Sequence, residues 1–158
     1  MIKLYTGIDN QMKYNEAWID DDCVVQHFGR IGTKGRTRYH DCNPALSDED
    51  NIFQVLKSAF NKGYQEIDLD NHSIIIIEFQ IIGMGSEEDI EKLNRLQDRM
   101  NETLGWTGLG MCDGGSVGSD SMEACCFVVE VEVARKVIES DLENTEFANY
   151  TRIYEEQR

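Results

Sequence analysis

Two amphipathic segments, each preceded by a serine with an aspartate three residues later, divide a chain that otherwise consists of short β-forming segments. Ser47 with Asp50, and Ser86 with Asp89, have the pattern of a helix N-cap followed by an acidic residue in the first turn. Apolar residues then recur at helical spacing: Ile52, Phe53, Leu56, Ala59 and Phe60 after the first serine, and Ile90, Leu93, Leu96, Met100 and Leu104 after the second. The first pattern predicts a helix of about 14 residues that ends near Gly63, and the second predicts another helix.

Four short segments before the first helix alternate apolar and polar residues and are separated by turn-forming residues. They are residues 2–5, 14–19, 23–28 and 36–42. Such segments are typical of antiparallel strands, and the three glycines within residues 29–35 can supply the positive φ angles of a tight connection. The sequence therefore predicts a small antiparallel sheet followed by one helix, and the alternation of residues 64–69 is compatible with a return to this sheet.

A polar break at residues 68–71 separates this part from the rest, and we place a domain boundary there, between domains 1–71 and 72–158. The elements predicted after it are a strand at 72–82, the second helix, a strand at 122–131, a helix at about 132–142 and a strand at 147–154. If a further strand pairs near residues 109–113, the order is βαββαβ, the split βαβ or ferredoxin-like arrangement. The predicted class is α+β, with an antiparallel sheet and one helix first and a ferredoxin-like domain second.

Charge is the strongest compositional feature of the chain. Its 158 residues include 30 acidic and 15 basic side chains, a formal net charge of −15. Residues 1–72 hold 12 acidic and 8 basic side chains, whereas residues 73–158 hold 18 and 7. Such a surface repels nucleic acid and anionic membranes at long range and favours basic partners.

Cysteine usage and hydropathy predict a soluble, cytoplasmic protein. The five cysteines have no regular spacing, which is typical of free thiols in a reducing compartment rather than of a disulfide framework. The first residues lack the apolar run of a signal peptide, and no apolar run in the chain is long enough to span a bilayer.

An aromatic-Gly-Arg triplet, Phe28-Gly29-Arg30, stands at the end of the third predicted strand. A glycine-containing turn at residues 31–35, a basic strand, a helix and a closing Lys62-Gly63-Tyr64 follow it. In this order the parts resemble a WGR domain, whose triplet is Trp-Gly-Arg, and the resemblance covers about residues 2–70. It implies binding of broken DNA ends, as in nuclear poly(ADP-ribose) polymerases, with the triplet aromatic on the terminal nucleotide and basic neighbours on phosphate.

Carried over to this chain, the resemblance implies nucleic-acid or phosphate contacts by Phe28, Arg30, Lys34, Arg36 and Arg38. Residues 30–38 also contain four basic side chains and no acidic one, and an aromatic beside a basic strip is the minimum for stacking plus phosphate contact. The alternative is an ordinary solvated hairpin with an aromatic packed at the strand end. The net charge of −15 also opposes an encounter with nucleic acid.

The same hairpin contains residue types that bind metal ions. If its ends pair in register around Gly32, Cys23 faces Cys42 and Val25 faces His40. That register places four potential zinc ligands on one face: Cys23, His27, His40 and Cys42. Their spacing matches no zinc-finger pattern and Arg38 would lie opposite His27, so we expect half-buried sheet residues and no metal.

The segment 105–121 is rich in glycine, yet no Lys or Arg occurs between residues 102 and 126, so we expect no phosphate cradle there. We interpret it as a long hairpin loop whose acidic side chains are available to a basic partner: Asp113, Asp120 and Glu123. No catalytic residue or cofactor site is predicted either, because Cys112, Cys125 and Cys126 have no histidine in the second half beyond His72 at its border.

Three functions stay open at this point. The favoured one is a non-catalytic acidic protein that recognises and neutralises a basic protein partner, in the manner of bacterial toxin-immunity or antitoxin proteins, because opposite charge accelerates association and sets specificity. The second is nucleic-acid end binding through the WGR-like basic residues. The third is an enzyme with an unrecognised site.

Overall fold

The four alternating segments of the first half form an antiparallel sheet in the computed structural model, which describes all 158 residues. Its strands are β1 (Ile2–Thr6), β2 (Lys13–Asp20), β3 (Cys23–Arg30) and β4 (Arg36–Asp41), each paired with the next. Helix α1 (Asp48–Asn61) covers one face, and Ser47 Oγ accepts the backbone N–H of Asp50 at 3.1 Å, as the N-cap pattern predicts. The buried contact between helix and sheet consists of Leu4, Ala17, Val24, Ile52, Leu56 and Ala59.

The second half contains the remaining helices and strands. They are β5 (Ser73–Gln80), α2 (Glu87–Trp106), β6 (Gly110–Gly118), β7 (Ser121–Val128), α3 (Val131–Leu142) and β8 (Arg152–Glu156). Their order is βαββαβ, as predicted, and the sheet runs β6-β7-β5-β8 with every neighbouring pair antiparallel. The α+β class is therefore confirmed, while the assignment to the ferredoxin-like fold stays a prediction. None of the three helices combines the length and apolar composition needed to cross a membrane.

Two predicted strands differ from the structure. Residues 64–69 do not return to the first sheet as a strand: a single bridge joins Tyr5 to Gln65, and Ile67 packs instead against the core of the second half. The last strand begins at Arg152 rather than at residue 147, because Phe147 is buried in the core from a turn after α3.

The glycine-rich segment 105–121 is a hairpin, as interpreted, but it is not a loop. Helix α2 extends into it and ends in a Schellman motif, in which Gly108 N–H donates to Gly105 O at 3.1 Å and Leu109 N–H donates to Leu104 O at 2.9 Å. Strand β6 then pairs with β7, with a register shift between residues 112 and 115. Glycines are abundant here because the chain needs a helix end, an irregular strand and a tight turn within 17 residues.

The two sheets share one core. The larger of two hydrophobic clusters, with 20 buried residues, belongs mainly to the second half but includes Tyr5, Tyr14 and Ile31 from the first. Gly32 N–H also donates to Thr107 O at 2.8 Å, which joins the turn after β3 to the end of α2. One face of the first sheet therefore packs against α1, and the other packs against the second half. The shared core contains residues from both sides of the boundary predicted between residues 71 and 72.

Candidate partner-binding site

The residues implied by the WGR resemblance form an exposed cationic surface, which we call the basic strip: Phe28, Arg30, Lys34, Arg36 and Arg38. Phe28 pairs with Arg36 across β3 and β4, and the Arg38 guanidinium lies 5.0 Å from the centre of the Phe28 ring. The four cations are exposed, and none of them takes part in a salt bridge. The structure thus places Phe28, Arg36 and Arg38 on one sheet face, with Arg30 at the end of β3 and Lys34 in the turn.

The turn that carries Lys34 is held firmly by its backbone. Ile31 is buried in the shared core, and Thr33 O accepts the Tyr14 hydroxyl at 2.9 Å. Lys34 O lies 2.6 Å from His27 Nε2. These two bonds hold the turn within the first half, while the Ile31 side chain and the hydrogen bond from Gly32 N–H to Thr107 O join it to the second half. Its one charged side chain, that of Lys34, is left to solvent.

The register predicted for the possible zinc ligands is wrong by one residue. Cys23 pairs with Asp41, and His40 pairs with Val24. Because paired residues share a face and neighbours alternate, His40 lies on the face opposite to Cys23 and His27, and Arg38 pairs with Gln26 rather than with His27. No group of three or more His, Cys, Asp or Glu side chains is placed to hold a metal ion.

The three acidic residues predicted to meet a partner lie at three different points of the β6–β7 hairpin. Asp113 is exposed beside the register shift, whereas the Asp120 carboxylate accepts the backbone N–H of Gly83 at 2.7 Å. Glu123 is half-buried within β7 and lies 3.5 Å from the Tyr154 hydroxyl. Asp120 therefore stabilises the turn, whereas Asp113 is exposed and makes no side-chain hydrogen bond or salt bridge.

Two cysteine thiols of the second sheet, those of Cys125 and Cys126, have raised pKa values. Cys112 and Cys126 are paired across β6 and β7 and are both buried. A hydrogen bond with Cys112, together with burial, raises the pKa of the Cys126 thiol well above its usual value, and burial raises the pKa of Cys125. A nucleophilic role needs the thiolate, which these surroundings disfavour.

A cleft that the sequence did not predict lies between β1 and β2 on one side and the end of α2 with the start of β6 on the other. Its volume is about 770 Å³, within the range of roughly 300 to 1,000 Å³ typical of ligand sites. We call it the inter-sheet cleft, and its lining includes Met1, Lys3, Glu16, Trp18, Glu66, Leu69, Glu102, Trp106 and Met111. Four of these are large apolar side chains with high exposure: Met1 at 78%, Leu69 at 42%, Trp106 at 43% and Met111 at 44%.

A buried polar network lies behind the aromatic lining of the cleft. Glu16, which is 4% exposed, is 2.7 Å from Nδ1 of the fully buried His27 and 3.2 Å from the Lys3 ammonium. Both ring nitrogens of His27 lie within hydrogen-bond distance of oxygen atoms, Nδ1 of the Glu16 carboxylate and Nε2 of Lys34 O. The Tyr14 hydroxyl completes the network, and burial, followed by the nearby Glu16 carboxylate, raises the pKa of this phenol so that it remains a donor.

The aromatic rings connect this network to the cleft. The Trp106 ring lies 4.9 Å from the His27 ring and 6.3 Å from the Trp18 ring, at steep angles of 70° and 80°. These are the only two tryptophans of the chain, and they are far apart in sequence. The rarity of tryptophan was the one sequence signal that could have drawn attention to these residues. The sequence did not indicate that the two rings meet.

No protein-family model, curated protein or solved structure matches this chain. The resemblance to WGR domains therefore stays a prediction based on its motif residues.

Proposed function

We propose that this protein is a non-catalytic binding protein that recognises and neutralises a basic protein partner, as toxin-immunity and antitoxin proteins do. The observation that carries the proposal is that few of its acidic side chains are paired with a cation. Of 30, only four form salt bridges, and they are Glu16, Glu78, Asp141 and Glu146. The surface therefore has a large negative field that is not compensated internally, which accelerates the approach of a basic protein and disfavours acidic competitors.

The exposed apolar residues support a protein partner rather than a small ion. Charge steers an encounter, but a stable complex also needs apolar area that loses water on binding. The inter-sheet cleft gathers four exposed apolar side chains in one concave place, and such patches on soluble proteins mark interaction sites.

The test is isolation of the partner. The protein should be affinity-purified from its native host at low and moderate salt, with the neighbouring genes read at the same time. We expect a basic protein in stable, stoichiometric complex, with an association rate constant that falls at least about tenfold between 20 and 200 mM salt. Recovery of the protein without any stable protein partner would contradict the proposal.

Nucleic-acid binding through the basic strip is the second candidate, and one observation favours it. Four exposed cations without acidic partners lie within nine residues, and Arg38 sits beside the Phe28 ring. The test is titration of blunt, nicked and single-stranded DNA and of RNA at low and moderate salt. Absence of binding at low salt would exclude this candidate.

Two double variants locate the contact if binding is seen. Arg30→Ala with Arg36→Ala should weaken binding and reduce the slope of log affinity against log salt by about 2, one unit for each lost phosphate contact. Lys57→Ala with Lys136→Ala removes two exposed cations outside the basic strip and serves as the control. Equal affinity of the two variants would refute the assigned site.

A further inference from the structure

We infer that the inter-sheet cleft binds an extended segment of the partner in which a lysine or arginine is flanked by apolar residues. This inference rests on the proposed function, because it assigns part of the basic partner to a particular place. It is carried by the charge of the lining, by the aromatic pair and by the strands that border the cleft.

The charge of the lining selects a cation. Lys3 is already paired with Glu16 at 3.2 Å, so it is not available to an anionic ligand. Glu66 and Glu102 also line the cleft, are exposed, and form no salt bridge. The cleft therefore has two acidic groups that form no salt bridge, and a lysine or arginine side chain is their complement.

The aromatic lining favours the same ligand. Trp106 keeps 43% of its surface exposed although its ring packs at a steep angle against Trp18 and His27. An indole face is the strongest aromatic partner of an ammonium or guanidinium group, and its area also receives aliphatic side chains. Met1, Leu69 and Met111 extend this apolar surface, which calls for apolar residues beside the cation.

The position of the cleft in the two sheets favours an extended ligand. Strand β1 is the outer strand of the first sheet and β6 is the outer strand of the second, and residues of both line the cleft. Outer strands offer backbone groups to an extended segment wherever the chain does not already pair them, and here only the backbone of Tyr5, bonded to Gln65, and the N–H of Cys112, bonded to Asn101 Oδ1, are paired in this way. The walls are held in place by the hydrogen bond from Gly32 N–H to Thr107 O and by the contact of Gly108 with Tyr14, so little ordering is needed on binding.

Intrinsic fluorescence provides a direct test, because both tryptophans of the chain line the cleft. The probe is a synthetic peptide of alternating lysine and leucine or valine, about ten residues long, titrated into the full chain. We expect a saturable change in fluorescence with 1:1 stoichiometry. The same peptide with glutamate in place of lysine should give no change up to millimolar concentration.

Variants separate the cleft from general attraction to an acidic protein. Glu66→Gln with Glu102→Gln should weaken peptide binding roughly 3- to 30-fold, whereas the control pair Glu139→Gln with Glu143→Gln removes two exposed acids of the α3 region and should cost less than about 2-fold. Trp106→Phe should also weaken peptide binding, and the fluorescence of Trp18 remains available to measure it. Circular dichroism confirms that each variant is folded.

Three results would overturn the inference: no saturable change with the basic peptide, equal binding of the acidic peptide, or equal losses in the cleft and control pairs. Failure of the proposed function is a separate outcome. A native basic partner whose affinity is unchanged by the Glu66 and Glu102 substitutions would refute the cleft assignment but leave the proposed function standing. If no basic partner exists, the proposed function fails while the peptide titration still decides what the cleft binds.

Discussion

Replacement of Gly108 by alanine should loosen the packing between the first sheet and the end of α2. Gly108 is buried at φ +67°, and an added Cβ would lie within 3 Å of three ring carbons of Tyr14, whose side chain is fully buried. Neither the ring nor the helix end can move freely, because Tyr14 is hydrogen-bonded to Thr33 O and α2 is capped there by a Schellman motif. The substitution therefore forces two packed elements apart.

The expected loss has two parts. An L-residue in left-handed backbone costs about 1 to 2 kcal/mol, and overpacking a filled core costs typically 1 to 3 kcal/mol more. Gly63 provides a matched control, because it also follows a helix in a Schellman motif, at φ +88°, but an added Cβ there meets nothing within 4 Å. Gly63→Ala should show only the first part, so the difference between the variants measures the contact with Tyr14 alone.

Urea unfolding, followed by circular dichroism and by the fluorescence of Trp18 and Trp106, measures both variants. We expect a free energy of unfolding lower by about 1 to 2 kcal/mol for Gly63→Ala and by about 2 to 5 kcal/mol for Gly108→Ala. A second, separate transition in Gly108→Ala would show that the halves have lost their coupling. Equal losses in the two variants would refute the argument that the halves are tightly packed at Tyr14.

Two further predictions concern buried polar groups. Glu16→Ala leaves the buried His27 ring and the Lys3 ammonium without their carboxylate and should lower the free energy of unfolding by about 3 to 5 kcal/mol. Glu146→Ala removes the half-exposed partner of Arg95 and should have a much smaller effect in the same urea assay. Similar losses in the two variants would contradict the assigned burial of Glu16. Burial raises the pKa of Tyr5 and Tyr14 in the folded state, so the unfolded chain loses these protons first and stability should fall as the pH rises above about 10. Urea midpoints at pH 8, 10 and 11 would measure this decline. Substitution of both tyrosines by phenylalanine should make it less steep.

Local signals in the sequence were sufficient for most of the elements. Serine caps at Ser47 and Ser86, alternation in the first four strands, and helical spacing of apolar residues all depend on neighbours a few positions away. For the same reason the pattern overstated burial at some positions. Phe53 and Phe60 follow the helical spacing but remain 41% and 38% exposed and pack against each other on the outside of α1.

Such local signals do not determine the register of β3 with β4. The turn between the strands allows alignments that differ by one residue, and a shift of one residue exchanges the two faces. The structure pairs Cys23 with Asp41, so the four possible zinc ligands are divided between faces, while Phe28, Arg36 and Arg38 come together. Which side chains share a face was decided by the packing of Leu4, Ala17 and Val24 under α1 and of Tyr5 and Tyr14 against the second half.

Composition and short-range periodicity were enough to predict the α+β class, the order of the elements, the acidic character and the basic residues at positions 30–38. They could not predict that Ile31 docks into the second half, or that Trp18 and Trp106 meet beside Glu16 in one cleft. The physical reason is that these contacts join residues far apart in the chain, and they form only when two sheets bury their apolar faces against each other. The candidate binding site therefore belongs to the packing of the halves and to neither half alone.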